Sequence, residues 1–321
     1  MKNLKNFLGL LISCLLVVFL FYKVDLLRFI AVLKSVNLYF AFATFIFVFV
    51  GCYLRAIRWH YLLLPLKNIK SSDLFPAVIV GYMGNNFLPL RAGEFLRAHF
   101  IGKQQNISRV AVFSTIIMER LADGLSILMI LIPVIILLKI DMQHALLTAT
   151  ISALILYSAI IVIVWLFNFR QQECLKLIGF LAPKRYQEKI IVLVSSLSDG
   201  FTSINNIRQI LWVVCFSFII WLVTALGIQL VVLAFNYQIS LIAAMFVLII
   251  LTFAVMLPSA PGFVGTFDVA MVYGLILFGV PKEVSLGIAF FFHGVNFLPI
   301  VLLGLYYSWK YNIGMGSLND K

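Results

Sequence analysis

Residues 85–100 read NNFLPLRAGEFLRAHF. Two arginines and a glutamate stand beside Pro89 and Gly93, directly after an apolar run that reads as too short to cross a membrane. The surroundings of this stretch make its charges conspicuous. Of 321 residues, 63% are hydrophobic and 11% charged, with a mean hydropathy of +1.09. A soluble domain of this length carries about 25% charged residues. Several apolar runs approach or exceed the roughly 17–25 residues that span the hydrocarbon core. A β-barrel would alternate in ten-residue segments rather than run in continuous apolar blocks. The composition therefore predicts an all-α, polytopic membrane bundle, with residues 1–321 as a single membrane domain.

The apolar blocks are 7–22, 38–54, 74–90, 110–138, 145–168, 209–235, 241–257, 264–279 and 284–309. The first follows Lys2 and Lys5 and looks like a secretory signal, but it continues past Cys14 to Tyr22 without a small-residue cleavage site. It reads as an uncleaved span. Cys14, Cys52, Cys174 and Cys215 are scattered and show neither disulfide nor metal spacing. The net charge of +12 lies mostly at the edges of apolar blocks, so it reads as a topology signal rather than a nucleic-acid footprint. If every block spanned once, Arg91, Arg97, Lys103 and Arg109 would face outward, against the positive-inside rule. If 72–97 dips in and returns, these four join Arg55, Arg58, Lys67, Lys70, loop 170–208 and both termini on the cytoplasmic side. The re-entrant reading fits the charges better.

A second pair of short blocks, 241–257 and 264–279, is joined by LPSAPGFVG. It is either two short spans or one hairpin entering from outside. Leu88-Pro89 followed by Gly93 and Glu94 echoes Leu257-Pro258 followed by Gly262, Gly265 and Asp268. The chain thus reads as two inverted span–hairpin–span repeats, about 38–138 and 209–309. Paired, Pro/Gly-interrupted segments at corresponding places in two halves point to a transporter site. Within loop 170–208, Ile190, Leu193, Val194, Leu197, Phe201 and Ile204 recur at helical spacing, with Ser195, Ser198 and Asp199 opposite. That is an amphipathic helix, lying on the cytoplasmic interface or packed under the bundle.

Residues 115–126, TIIMERLADGLS, hold Glu119, Arg120 and Asp123 inside an apolar block. From a helix start near Ser108, Glu119 lies roughly 16 Å deep, near the middle of a core about 30 Å thick. Each charge there costs roughly 2.5–3.5 kcal/mol on insertion scales. Glu119 and Asp123 share a face, and Arg120 reaches Asp123 at i+3. The group is either a self-neutralising fastening between helices or a polar site facing a cavity. In the opening stretch, Pro89 and Gly93 end one arm of a hairpin and turn the chain, and Arg91 and Arg97 stand where an anionic group can be held. Glu94, three residues from each, either orients these arginines or pairs with Arg120. In the second hairpin Pro261, Gly262 and Gly265 precede Asp268, which is either a helix cap or part of a site.

The combination Asn86…Leu88-Pro89-x-Arg91-x-Gly93-Glu94-x-x-Arg97, Glu119-Arg120-x-x-Asp123 and Pro261-Gly262-x-x-Gly265-x-x-Asp268 resembles the flippase-like transmembrane domain of lysylphosphatidylglycerol synthases, over roughly 7–310. Phe263 stands where that family usually has a second glycine, and Asp268 where glutamate is usual. The resemblance implies movement of aminoacylated or other anionic lipids between leaflets. The soluble aminoacyl-transferase domain of full-length synthases is expected to be absent, so lysyl transfer is not implied. Substrate contacts are expected at Asn86, Arg91, Glu94, Arg97, Glu119, Arg120, Asp123 and Asp268. No catalytic residue, metal or cofactor is expected: no Walker motif occurs, and His60, His99, His144 and His293 show no metal spacing. Two other functions stay open, a lipid-modifying transferase acting on a lipid-linked donor and a membrane partner of a separate lipid synthase. The expected setting is a bacterial-type cytoplasmic membrane, with lipid as substrate, a synthase or a second copy as further partner, and no nucleic acid.

Overall fold

The computed structural model describes residues 18, 20, 25–88, 92–139, 151–152, 155–160, 162–163, 170, 173, 187–201, 206–256 and 259–313. Most of the blocks 7–22 and 145–168, and the residues Pro89 and Arg91, lie outside the described residues. Among the described residues every regular element is helical. Four helices are long and apolar enough to cross a membrane: α2 (Leu38–Leu63), α5 (Arg109–Leu138), α7 (Ile207–Ala234) and α10 (Lys282–Lys310). Between them run α3 (Ser71–Phe87) with α4 (Gly93–Gln105), and α8 (Leu241–Ala254) with α9 (Thr266–Ile276). A short α1 (Leu26–Lys34), not foreseen from the sequence, precedes α2. The chain is an integral, multi-pass membrane protein.

Side-chain caps fix several helix starts. Asn37 Oδ1 accepts from the Tyr39 N–H, Ser108 Oγ from Ala111, Asn206 Oδ1 from Arg208 and Ser240 Oγ from Ala243. Each satisfies one of the donors a helix start leaves open. The helix expected over 38–54 runs nine residues further, because Arg55 and Arg58 are separated by Ala56 and Ile57 and followed by Trp59, with nothing to break it.

At 1.5 Å per residue, α3, α4, α8 and α9 reach roughly 16–26 Å, short of a core about 30 Å thick. In each pair the two arms lie against each other. Lys67 Nζ, before α3, donates to the Gln105 carbonyl at the end of α4 (2.8 Å), so this hairpin starts and finishes at one end. In the other pair, Phe246 near the start of α8 packs edge-on against Phe278 just past α9. The first hairpin closes on glycine. A Cβ on Gly93 would sit 2.0 Å from the Gly81 carbonyl oxygen and 2.5 Å from the Asn85 nitrogen, and one on Gly84 would sit 2.7 Å from the Gly93 Cα. Gly93 was expected to let the chain turn, but it opens α4 and is required for close helix approach.

The packing has an internal correspondence. Exchanging α2, α3, α4, α5 with α7, α8, α9, α10 turns α2–α3 into α7–α8, α4–α5 into α9–α10, α3–α10 into α8–α5 and α2–α10 into α7–α5; all of these contacts exist. The long helices also hold the following hairpins alike. His60 Nδ1 meets the Ile69 carbonyl at 2.6 Å, and Gln229 Nε2 donates to the Ile239 carbonyl at 2.9 Å, in each case two residues before a short helix.

Within loop 170–208, α6 (Gln187–Phe201) docks on α5. A Cβ on Gly200 would lie 1.8 Å from Ser114 Oγ, and Phe201 packs against Leu121. Ser198, expected on the polar face, is buried, because Gly200 lets that side approach α5. Of the two sequence alternatives, the structure favours a helix packed under the bundle.

Candidate functional site

Glu94 and Arg97 of the first hairpin and Glu119, Arg120 and Asp123 of α5 are gathered into one cluster, and an unforeseen residue is at its centre. Arg58 was read as a cytoplasmic flank charge, but it is fully buried in α2. Its Nη2 lies 3.0 Å from Glu119 Oε1, and its Nη1 donates to Asp123 Oδ1 and, at 2.8 Å, to Ser217 Oγ of α7. A flank arginine and a buried one look alike at the end of an apolar run. The signal that could have found it is charge balance: two carboxylates on one face of α5 have only Arg120 beside them.

Arg97, on α4, is also buried. Its guanidinium lies 3.7 Å over the Trp59 ring, a cation–π contact, and its Nη2 lies 2.9 Å from Glu119 Oε2. That is an ion pair without an aligned hydrogen bond, since neither atom has a well-directed partner. Trp59 is fixed in turn by an Nε1–H donated to Thr115 Oγ1 at 2.9 Å. Glu94 does not orient Arg97; it pairs with Arg120 (3.4 Å), the second of the two sequence alternatives. Arg120 also lies 3.4 Å from Glu119 and 3.5 Å from Asp123.

The cluster therefore balances Arg58, Arg97 and Arg120 against Glu94, Glu119 and Asp123. Its floor, Arg58 and Glu119, is closed; its rim is open, with the Arg120 side chain 34% exposed and Glu94 and Asp123 partly so. The Nε atoms of all three arginines are buried without a hydrogen-bond partner. The arrangement is charge-neutral yet rich in spare donors. Asn86 is on the last turn of α3, half-buried, and joins none of these pairs. Beside it, Asn85 Oδ1 is buried without a partner.

At the second hairpin, Asp268 is both cap and site. Its Oδ2 accepts the Gly265 N–H (2.9 Å), and its Oδ1 lies 2.9 Å from His293 Nδ1 on α10. His293 Nε2 reaches the Gly262 carbonyl at 2.8 Å. Pro261 opens a single 3-10 turn, Pro261–Phe263, and Gly262 and Gly265 take positive φ of 75° and 87°. Phe263 also has a positive φ, 60°, which explains why glycine suits that position. In the sequence His293 was weighed only with the other histidines, for metal spacing. The two hairpins meet at Phe297, whose ring lies 6.0 Å from that of Phe87 at the end of α3 and within contact of Gly262.

The two sites occupy matching places. Glu94 and Asp268 each sit in the first turn of the second short helix of a pair. Arg120 and His293 are each the twelfth residue of the long helix that follows. Each acid pairs with its base.

Fold and site thus define a polytopic helical membrane protein with ionisable pairs at two interrupted hairpins. Residues 6–304 match the family described as lysylphosphatidylglycerol synthase TM region, and the chain belongs to that family. It is similar to a UPF0104 membrane protein of Methanocaldococcus jannaschii, 23% identical over 315 residues and 94% of each chain. A UPF0104 membrane protein of Methanothermobacter thermautotrophicus is 24% identical over 268 residues, 78% of this chain and 79% of that one. A second alignment with a UPF0104 membrane protein of that organism has 25% identity over 278 residues, 80% of this chain and 79% of the other. No solved structure matches the chain.

Proposed function

We propose that the protein moves a lipid with an anionic or aminoacylated headgroup between membrane leaflets. The observation that carries this reading is the cluster at the first hairpin: three arginines and three carboxylates inside the bundle, open at Arg120, whose Nε has only the 3.4 Å ion pair with Glu94, and with the buried Nε donors of Arg58 and Arg97 unused. Such donors suit an acceptor-rich group such as a phosphate, which guanidinium binds in a fork. Ionisable groups inside a membrane usually mark a pathway. A mixed-sign rim also suits a headgroup that carries an amine beside its phosphate.

Two further observations support the transporter reading. The four short helices fall below spanning length, and the Lys67–Gln105 bond joins the two ends of one pair, which favours re-entrant hairpins over short spans. The interchangeable contact pattern favours two inverted repeats around a central site. With both hairpins re-entrant, the charge rule places both termini in the cytoplasm. The basic cytoplasmic face would then draw anionic lipid in a cytoplasmic membrane. A separate lipid synthase or a second copy of this chain is the natural protein partner.

The test is redistribution of fluorescent phosphatidylglycerol and of its lysyl ester in proteoliposomes, read by quenching from one side. Arg91→Ala and Arg120→Ala should each remove most of the redistribution, and Arg91→Lys should restore part of it, because lysine offers a point charge without the fork. Unchanged redistribution in both alanine variants would sink the headgroup site. Formation of a new lipid product by the purified protein would instead favour a transferase.

A further inference from the structure

The hydrogen bonds at the second hairpin can be counted proton by proton. The Gly262 carbonyl has no hydrogen to give, so the 2.8 Å contact requires a proton on His293 Nε2. Asp268 Oδ2 accepts the Gly265 N–H and its Oδ1 faces His293 Nδ1 at 2.9 Å, so that contact needs a second proton between nitrogen and oxygen. One imidazole thus bridges two acceptors, which takes two protons. With both present the Asp268–His293 pair is neutral overall; with one removed it carries a single negative charge.

We propose that Asp268 and His293 form a proton-binding site that latches the second hairpin. With the proton bound, the imidazole ties α10 to Gly262 on one side of the turn, and Asp268 ties α9 to Gly265 on the other. When the proton leaves, one of the two imidazole contacts sets a lone pair against a lone pair and breaks. The turn so released is held in an unfavourable backbone, with Phe263 at φ 60° between Gly262 and Gly265. Loss of the contact lets it spring. The step is a proton transfer alone: it leaves from Nδ1 or Nε2 to water, and no other bond changes.

Among the described residues, the ion pair of His293 is with Asp268. α10 packs against α1, α2, α3, α7 and α9. From α9 comes Asp268, and from the turn a backbone carbonyl. Lys34 on α1, Arg55 and Arg58 on α2, Asp73 and Tyr82 on α3, and Arg208 on α7 form no ion pair with His293 among the described residues. Phe267 and Phe297 lie against the ring, at 4.6 and 6.3 Å between centroids. The matching base of the first half, Arg120, cannot give up its proton. Histidine is the side chain that ordinarily titrates near neutrality. Of the two matching pairs, the second alone holds an imidazole. The inference stands whichever lipid, if any, the first hairpin handles.

The experiment places a cysteine at Val264, which lies on the turn and is 41% exposed. The full-length protein in detergent micelles is treated with a methanethiosulfonate reagent at pH 5 to 8, and labelling at residue 264 is read by peptide mass spectrometry. Each rate is divided by that of the same cysteine in a His293→Arg background, where a permanent cation offers donors at every pH, so that thiolate chemistry cancels. The ratio should rise about tenfold from pH 5 to pH 8, the factor expected for loss of one charge-assisted hydrogen bond. His293→Gln should abolish the rise. A flat ratio overturns the latch, as does a rise that survives His293→Gln. Should His293→Arg fail to fold, hydrogen–deuterium exchange of residues 262–268 in the wild type, corrected for intrinsic exchange, gives the same two outcomes.

Discussion

Arg58→Ala tests the centre of the cluster most directly. The wild-type guanidinium is wholly buried and serves three partners on two other helices: Glu119 at 3.0 Å, Asp123, and Ser217 at 2.8 Å. Removing one member of a buried ion pair costs roughly 3–5 kcal/mol, because its partner stays behind as an uncompensated charge. Here the loss is tempered. Glu119 keeps Arg97 at 2.9 Å and Asp123 keeps Arg120 at 3.5 Å. The low end, about 3 kcal/mol, is therefore expected. Arg120→Ala should cost much less, about 1 kcal/mol, because that side chain is 34% exposed and the carboxylates beneath it retain Arg58. Arg58→Lys should fall between, since one ammonium cannot bridge two carboxylates and a hydroxyl at once. Arg58→Met combined with Glu119→Gln should recover part of the loss by removing the orphaned charge. Reversible unfolding in mixed micelles with increasing dodecyl sulfate, followed by circular dichroism, ranks the four variants. If Arg58→Ala costs no more than Arg120→Ala, the cluster does not carry its load through α2, and the buried bridge is wrong.

Two other outcomes follow from particular contacts. Gly93→Ala places a methyl group 2.0 Å from the Gly81 carbonyl oxygen, which no rotamer can relieve, so α4 must move off α3; a loss of about 1–3 kcal/mol in the same unfolding assay is expected, and wild-type stability would show that the arms are not so close. Lys70→Cys and Lys103→Cys, on exposed positions either side of the first hairpin, should both react with an impermeant thiol reagent from the cytoplasmic face, and Gln238→Cys from the other; labelling of 70 and 103 from opposite faces would eliminate the re-entrant hairpin.

The sequence made some of this legible and concealed the rest for physical reasons. Hydropathy alone located the four long helices and the two interrupted pairs, because the membrane demands continuous apolar runs of a set length. The acids Glu94, Glu119 and Asp123 stood out because a charge in an apolar run is costly and so needs a reason. Their partners did not stand out. Arg58 follows Arg55 by three residues, and that spacing reads equally as a basic flank or as a helix carrying one arginine outward and one inward. Which applies depends on whether α5 presents carboxylates at that depth, and pairwise distance across 61 positions is not written in local pattern. His293 was hidden in the same way: its meaning comes from Asp268, 25 residues earlier, and from a backbone carbonyl that no side-chain pattern reports.

The two residues of the second hairpin at which the sequence resemblance leads to an expectation of glycine and glutamate can now be read together. Phe263 is held at φ 60°, a conformation that suits glycine and costs an L-residue roughly 1–2 kcal/mol. Such a turn persists only if its neighbours hold it. They do: the carbonyl of Gly262, one residue before, is held by His293, and the N–H of Gly265, two residues after, is held by Asp268. Aspartate suits this task better than glutamate. From the first turn of α9 its short side chain folds back on Gly265 while its other oxygen meets His293, so both ties run through one carboxylate. A glycine at 263 would leave the turn relaxed with or without those ties, and a bound proton would then change little. With phenylalanine there, the ties oppose a standing strain, and breaking one of them has somewhere to send the chain.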